Sequence, residues 1–158
     1  IAHITGYSDL SINNYRLQGY IDALKKNNLP VLDEFIIHTQ GFKHKHGIKP
    51  TELLLKSKNI PDAIFAVNDR IAVSAMHTAK RLNFRIPEDI SIIGFDDEPH
   101  STYFTPSLST VWQPVYSIGM LSARILLHDI NSEEGIDLEL RCEVFKTELV
   151  IRGTSKNI

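Results

Sequence analysis

One unit, met twice, limits the fold of this chain more than anything else: a continuously apolar run stopped by a pair of polar residues. Asp62-Ala63-Ile64-Phe65-Ala66-Val67 ends on Asn68-Asp69, and Ile90-Ser91-Ile92-Ile93-Gly94-Phe95 ends on Asp96-Asp97. Runs that barely alternate suit parallel strands covered on both faces. After Asn68-Asp69, the residues Ile71, Ala72, Ala75, Met76, Ala79 and Leu82 recur at helical spacing, and either polar residue is placed to cap that helix. The amino-terminal segment follows the same order. Ile1 to Gly6 reads as a strand running into a turn, then Leu17, Tyr20, Ile21 and Leu24 mark a helix, with Ser11 or Asn13 as its cap and Pro30 beyond its end. Repeated strand, polar turn and helix predict an α/β fold, a doubly wound, mainly parallel sheet flanked by helices with right-handed crossovers.

Between these units lie Phe35-Ile36-Ile37, a short apolar run, and Gln40 to Lys49, which is polar enough to read as a loop. Pro50-Thr51-Glu52 is expected to open a helix carrying Leu53, Leu54 and Leu55, since proline has no N–H to lose in a first turn. A long loop runs through Pro99 and Pro106 to a short strand around Ser109 to Trp112. Pro114 then starts a helix bearing Val115, Ile118, Ser122, Ile125 and Leu126, and Leu138 to Ile151 alternates as one or two strands.

Composition excludes several classes of protein. With 158 residues and 42% hydrophobic side chains the chain can build a sizeable core, and its net charge of −2 is the wrong sign for a surface that neutralises phosphates. Cys142 is the one cysteine, read as a structural thiol, so no internal disulfide forms. No apolar stretch approaches the ~18 residues of a membrane span. The chain opens on a strand without an initiator Met, and the expectation is a piece of something longer.

In an open α/β sheet, ligands bind outside the carboxyl ends of the strands. That rule selects Thr5-Gly6-Tyr7, His38-Thr39, Asn68-Asp69, Asp96-Asp97 and Gln113, with Arg16 in the first helix. Amide, carboxylate and guanidinium groups present paired donors or acceptors, suited to adjacent hydroxyls of a polyol. Spacing alone leaves other roles open: Asn68 and Asp69 as helix caps, Asp96 as a turn residue, Arg16 as a solvated face. His38, His44 and His46 lie close together, yet no Cys or helical His-Glu pair completes a metal-ligand set, and they read as a solvated loop. No catalytic residue, metal site or cofactor motif is identified. Gly-x-Ser-x-Gly, Walker and Gly-x-Gly-x-x-Gly patterns are all missing, so the expectation is a binding protein and not an enzyme.

Pro61 to Ala72, Ile86 to Asp97 and Pro106 to Pro114, with Arg16-Leu17-Gln18-Gly19-Tyr20 after Ile4-Thr5-Gly6, strongly resemble the effector-binding half of LacI/GalR-family transcription regulators. The runs span most of the chain in the family's order. The resemblance implies a truncated periplasmic-binding-protein-like fold. Residues 1–113 would form the carboxy-terminal effector-binding subdomain, 114–135 a crossover helix belonging to the amino-terminal subdomain, and 136–158 returning strands and tail. The upstream helix-turn-helix and most of the amino-terminal subdomain would be absent. Effector-contacting positions fall on Arg16, Asn68 and Asp96, with Gln113 at the crossover. Phe42 is the candidate for the stacking aromatic, in a loop, Gln40 to His46, that departs from the family's usual length. The dimer interface falls near Ile71, Val73, His77 and Phe104.

The function so implied is effector sensing and dimerisation in a cytoplasmic, homodimeric repressor of carbohydrate-utilisation genes. A sugar is the small-molecule effector, and DNA is touched only through the missing headpiece. Two alternatives stand beside it: a secreted sugar-binding protein of a transport system, and a catabolite-control regulator that binds a phosphoprotein cofactor. The crossover stripe Val115, Ile118, Ile125 and Leu126 would lose its usual cover, and burial against a second copy is the expectation.

Overall fold

The computed structural model describes residues 1–131 and 143–156. Strands β1 (Ala2–Thr5), β2 (Ile36–His38), β3 (Ala63–Ala66) and β4 (Ser91–Ile93) form a parallel sheet in the order β2-β1-β3-β4. Bridges Ile93 to Ser109 and Asp96 to Trp112 carry it on to β5 (Thr110–Trp112), which pairs antiparallel with β6 (Glu148–Val150). Helices α1 (Ser11–Lys26), α2 (Lys45–Leu55) and α3 (Asp69–Arg81) provide the crossovers, and α4 (Val115–Asn131) follows β5. Because β2 and β3 lie on opposite sides of β1, the strand order reverses there.

Alternation along β1 assigns the two faces. Ala2 and Ile4 join Ile64, Ala66 and Ile92 in a core closed by Leu54 and Leu55 of α2 and Ile71, Ala72, Ala75, Met76 and Ala79 of α3. Full burial of each large aliphatic side chain there contributes about 1.5–3 kcal/mol. His3 points to the other face, where its ring stacks between Tyr20 of α1, at 5.2 Å, and Phe65, at 4.7 Å. Its Nδ1 lies 2.9 Å from the Phe65 carbonyl.

Burial pushes the His3 imidazole down to about 4, the backbone hydrogen bond offsetting only part of that cost. A histidine held neutral stabilises the fold fully above its unfolded value near 6.5, and loses that contribution as pH falls toward the folded value. From pH 7 to 4 this one group is expected to remove about 3 kcal/mol of unfolding free energy. Urea unfolding of wild type and His3→Phe at several pH values checks it: the acid decline flattens in the variant, and parallel curves count against the assignment.

Two local expectations are corrected by packing. Neither Ser11 nor Asn13 caps α1: Leu10 occupies that position without a side-chain bond, and buried Asn13 donates from Nδ2 to the Tyr7 carbonyl at 2.8 Å. The stretch from Gln40 to Lys49 is a loop only to His44, for α2 begins at Lys45 and encloses Pro50 in its interior. Tertiary contact overrides propensity here. Gly47 lets α2 approach α3 so closely that a Cβ would stand 2.8 Å from Ser74 Cβ, and the Thr51 hydroxyl returns 2.7 Å to the Gly47 carbonyl. Of the one or two strands expected over Leu138 to Ile151, the described residues hold β6; Cys142 and residues 138–142 lie outside them.

Helix α4 stands apart from this packing. None of its residues is buried, and Val115, Tyr116, Leu126, Leu127 and Ile130 are widely exposed. Among the described residues no helix is long and apolar enough to cross a membrane.

Candidate functional site

The reversal of strand order between β1 and β3 opens a crevice at the carboxyl ends of the strands, and the loops and helix starts there carry the polar groups. Arg16, on the second turn of α1, reaches across this opening. Its Nη1 donates 2.6 Å to the Val67 carbonyl, Nη2 lies 3.5 Å from Asp96 Oδ1, and the guanidinium carbon sits 3.9 Å above the Phe95 ring. Gln113, just past β5, donates from Nε2 to the same Asp96 oxygen at 2.6 Å. Among the described residues Asp96 Oδ2 accepts no hydrogen bond, which leaves an acceptor edge free at the rim.

The Asp96 carboxyl is pushed up to about 6, first by burial and then by the neighbouring Asp69 and Glu98 charges; Arg16 and Gln113 pull it back only in part. At 3.5 Å the ion pair is long, so desolvation wins. Burial likewise lowers the Arg16 guanidinium, with Asp96 opposing. Asp96 and Asp97 also hold the backbone in the left-handed region, at φ 114° and 52°. Each such residue costs about 1–3 kcal/mol, and the surroundings must supply it.

Asp69 supplies part of it, a role not visible in its spacing. Its buried carboxylate accepts from Thr110 Oγ1 at 2.5 Å, Ser101 Oγ at 2.7 Å and the Glu98 backbone N–H at 2.8 Å, tying α3 to β5 and to the loop after Asp97. Arg152 adds a second tie, with Nη1 at 2.8 Å from the Asp97 carboxylate. Asn68, one residue before Asp69, settles the question of the cap: its Oδ1 accepts from Ile71 N at 3.0 Å. Its amide nitrogen faces the rim instead and donates 3.3 Å to the Phe42 carbonyl. Phe42 is half-buried, with its ring edge-on to Tyr7 at 6.0 Å.

Hydrogen bonds thus join Arg16, Asp96 and Gln113 directly, and Asn68 and Phe42 to each other, with Arg16 reaching the carbonyl of Val67 just before Asn68. The residues expected at a dimer interface are divided. Val73 and Phe104 are half-buried and His77 is exposed, but Ile71 is sealed in the core. The Ile71 side chain has no surface to offer a partner; it serves the contact between α3 and the sheet. No group of three or more His, Cys, Asp or Glu side chains is placed to hold a metal among the described residues.

An open parallel sheet of this order, with polar side chains converging at its switch point, has the architecture of a periplasmic-binding-protein-like domain. The chain belongs to that family: the periplasmic binding protein-like domain model matches residues 1–155. It is 33% identical over 156 residues to the HTH-type transcriptional repressor CytR of Escherichia coli (strain K12), covering 99% of this chain and 45% of that protein. It is 36% identical over 134 residues to catabolite control protein A of Priestia megaterium, covering 84% of this chain and 40% of that one. The structure of a regulatory protein of LacI family from Chloroflexus aggregans matches with a TM-score of 0.85 and 32% identity, over 98% of this chain and 54% of that chain. The chain thus spans about half the length of the relatives it matches, and those relatives are transcription regulators.

Proposed function

We propose that this chain is the effector-sensing and dimerisation part of a DNA-binding repressor of carbohydrate-utilisation genes, working as a cytoplasmic homodimer. The observation that carries the reading is the convergence of Arg16, Asp96 and Gln113, with Asn68 and Phe42 beside them, at the switch point of the sheet. Arg16 and the free edge of Asp96 would hold neighbouring hydroxyls of a sugar, Asn68 and Gln113 would add amide contacts, and Phe42 would cover a ring face. Residues 1–113 then form one wall of the cleft. Residues 114–135 cross to a second subdomain upstream in the intact protein, and 136–158 return. That assignment accounts for an α4 with no buried residue.

Regulation follows from linkage. An effector between two subdomains shifts an open and closed equilibrium only by its difference in affinity for the two forms, and a headpiece coupled to that equilibrium changes its DNA affinity in step. No bond need be broken. Val73, His77 and Phe104, on the α3 side of the sheet, are the surface proposed for the second copy.

A thermal-shift screen of monosaccharides, disaccharides and nucleosides against the intact protein tests the reading. A ligand at a hundred times its Kd stabilises the native state by about 2.7 kcal/mol, a shift of several degrees. One sugar class is expected to raise the melting temperature and to release operator DNA at the same concentrations. A ligand that stabilises the protein but leaves operator binding untouched would instead favour the transport-type reading.

A further inference from the structure

From Phe35 to Thr51 the chain carries no Asp or Glu, but it carries Lys43, Lys45, Lys49, His38, His44 and His46. In a molecule of net charge −2 this is a local reversal of sign. Folding does not disperse it. A cavity of about 400 Å³ between the end of β2 and the first turns of α2 is lined by Lys45, His46, Lys49 and His38, with Thr39 and Gln40 closing one side. Ile37, Pro50 and Leu53 give it an apolar wall, and among the described residues no carboxylate lines it.

Two features distinguish this cavity from a solvated face. Lys45 and Lys49 are one helical turn apart, so their charges oppose each other, and among the described residues neither forms an ion pair that would relieve the repulsion. His46 is held in place: its ring lies against Gly41, where a Cβ would stand 2.8 Å from Nε2. An incoming anion would give these side chains a partner. Lysine ammonium groups and imidazole N–H donors around a small cavity match a tetrahedral dianion.

We propose that this cavity binds a phosphate dianion, free or as a phosphomonoester, at a site separate from the cleft of Arg16 and Asp96. None of its lining residues belongs to that rim. Thr39 and Gln40 share a loop with Phe42, so occupancy would also restrain the aromatic at the rim.

Isothermal titration of the intact protein with inorganic phosphate, and separately with glycerol 3-phosphate, tests the proposal against sodium chloride of matched ionic strength. One phosphate per chain is expected. The double variant Lys45→Ala/Lys49→Ala is expected to weaken binding at least tenfold, Lys45→Arg/Lys49→Arg to retain it, and Arg16→Ala to leave it unchanged. Tighter binding of the ester assigns the site to phosphorylated metabolites, and equal binding assigns it to the free ion. Circular dichroism confirms that the surface variants fold. No heat above the chloride control, wild-type affinity in the alanine pair, or loss of phosphate binding in Arg16→Ala would each overturn the assignment.

Discussion

Replacing Asp69 with alanine is expected to cost about 3 kcal/mol of folding stability or more, and to abolish the effector response in whatever protein remains folded. The carboxylate is buried and accepts from Thr110, Ser101 and the Glu98 N–H. A buried donor left without a partner costs about 1–3 kcal/mol. The two hydroxyls can rotate toward other acceptors; the Glu98 amide is fixed by the chain. With that anchor gone, the segment around Asp96 and Asp97, whose backbone already lies in the left-handed region, would rest at α3 on the Asp69 N–H to Phe95 carbonyl bond and the exposed Arg70–Glu98 ion pair. Asp69→Asn keeps the volume but turns an NH2 toward donors, so an intermediate loss is expected. Urea unfolding reads both variants, and a midpoint for Asp69→Ala equal to wild type would remove Asp69 from its role as the support of the rim.

Arg16→Ala is expected to weaken the effector at least a hundredfold in the full-length protein while dimerisation stays intact. One charge-assisted hydrogen bond is worth about 1.5–3 kcal/mol, and every 1.4 kcal/mol is a factor of ten in Kd. Arg16 supplies a fork of donors, so two such bonds suffice. Lysine should not rescue it, because a single ammonium cannot hold Val67 and a ligand in the same plane. The α3 surface proposed for the second copy is on the far side of the sheet, so sedimentation of the variant should match wild type. Wild-type induction in Arg16→Ala would refute its placement in the cleft. The same site predicts a pH dependence. Because burial pushes the Asp96 carboxyl up to about 6, effector affinity should fall as pH drops through that value, while Asp96→Asn should bind weakly with little change over the same range.

Much of the frame was legible in the residue order because the forces that build it are local or periodic. Continuous apolar runs marked β3 and β4, the stripe from Ile71 to Ala79 marked α3, and the polar pairs after each strand located the rim. Where expectation failed, a distant contact had overruled a local preference. Lys45 to Lys49 looked like loop until Gly47 was seated against Ser74, and Ser11 and Asn13 looked like caps until Asn13 was turned inward to Tyr7.

Chemical type and order along the chain determined that the sheet is parallel, and that amide, carboxylate and guanidinium groups follow its strands. Only the folded arrangement decided how those groups are used. Asn68 accepts the Ile71 N–H with its oxygen and donates to the Phe42 carbonyl with its nitrogen, Asp69 supports the segment behind Asp96, and Ile71 is core where an interface residue was expected. Side-chain periodicity repeats every two to four residues and is therefore written in any short window. A partner 80 positions away, as Asp96 is from Arg16, is selected by the crossing of strands and helices, which no short window contains.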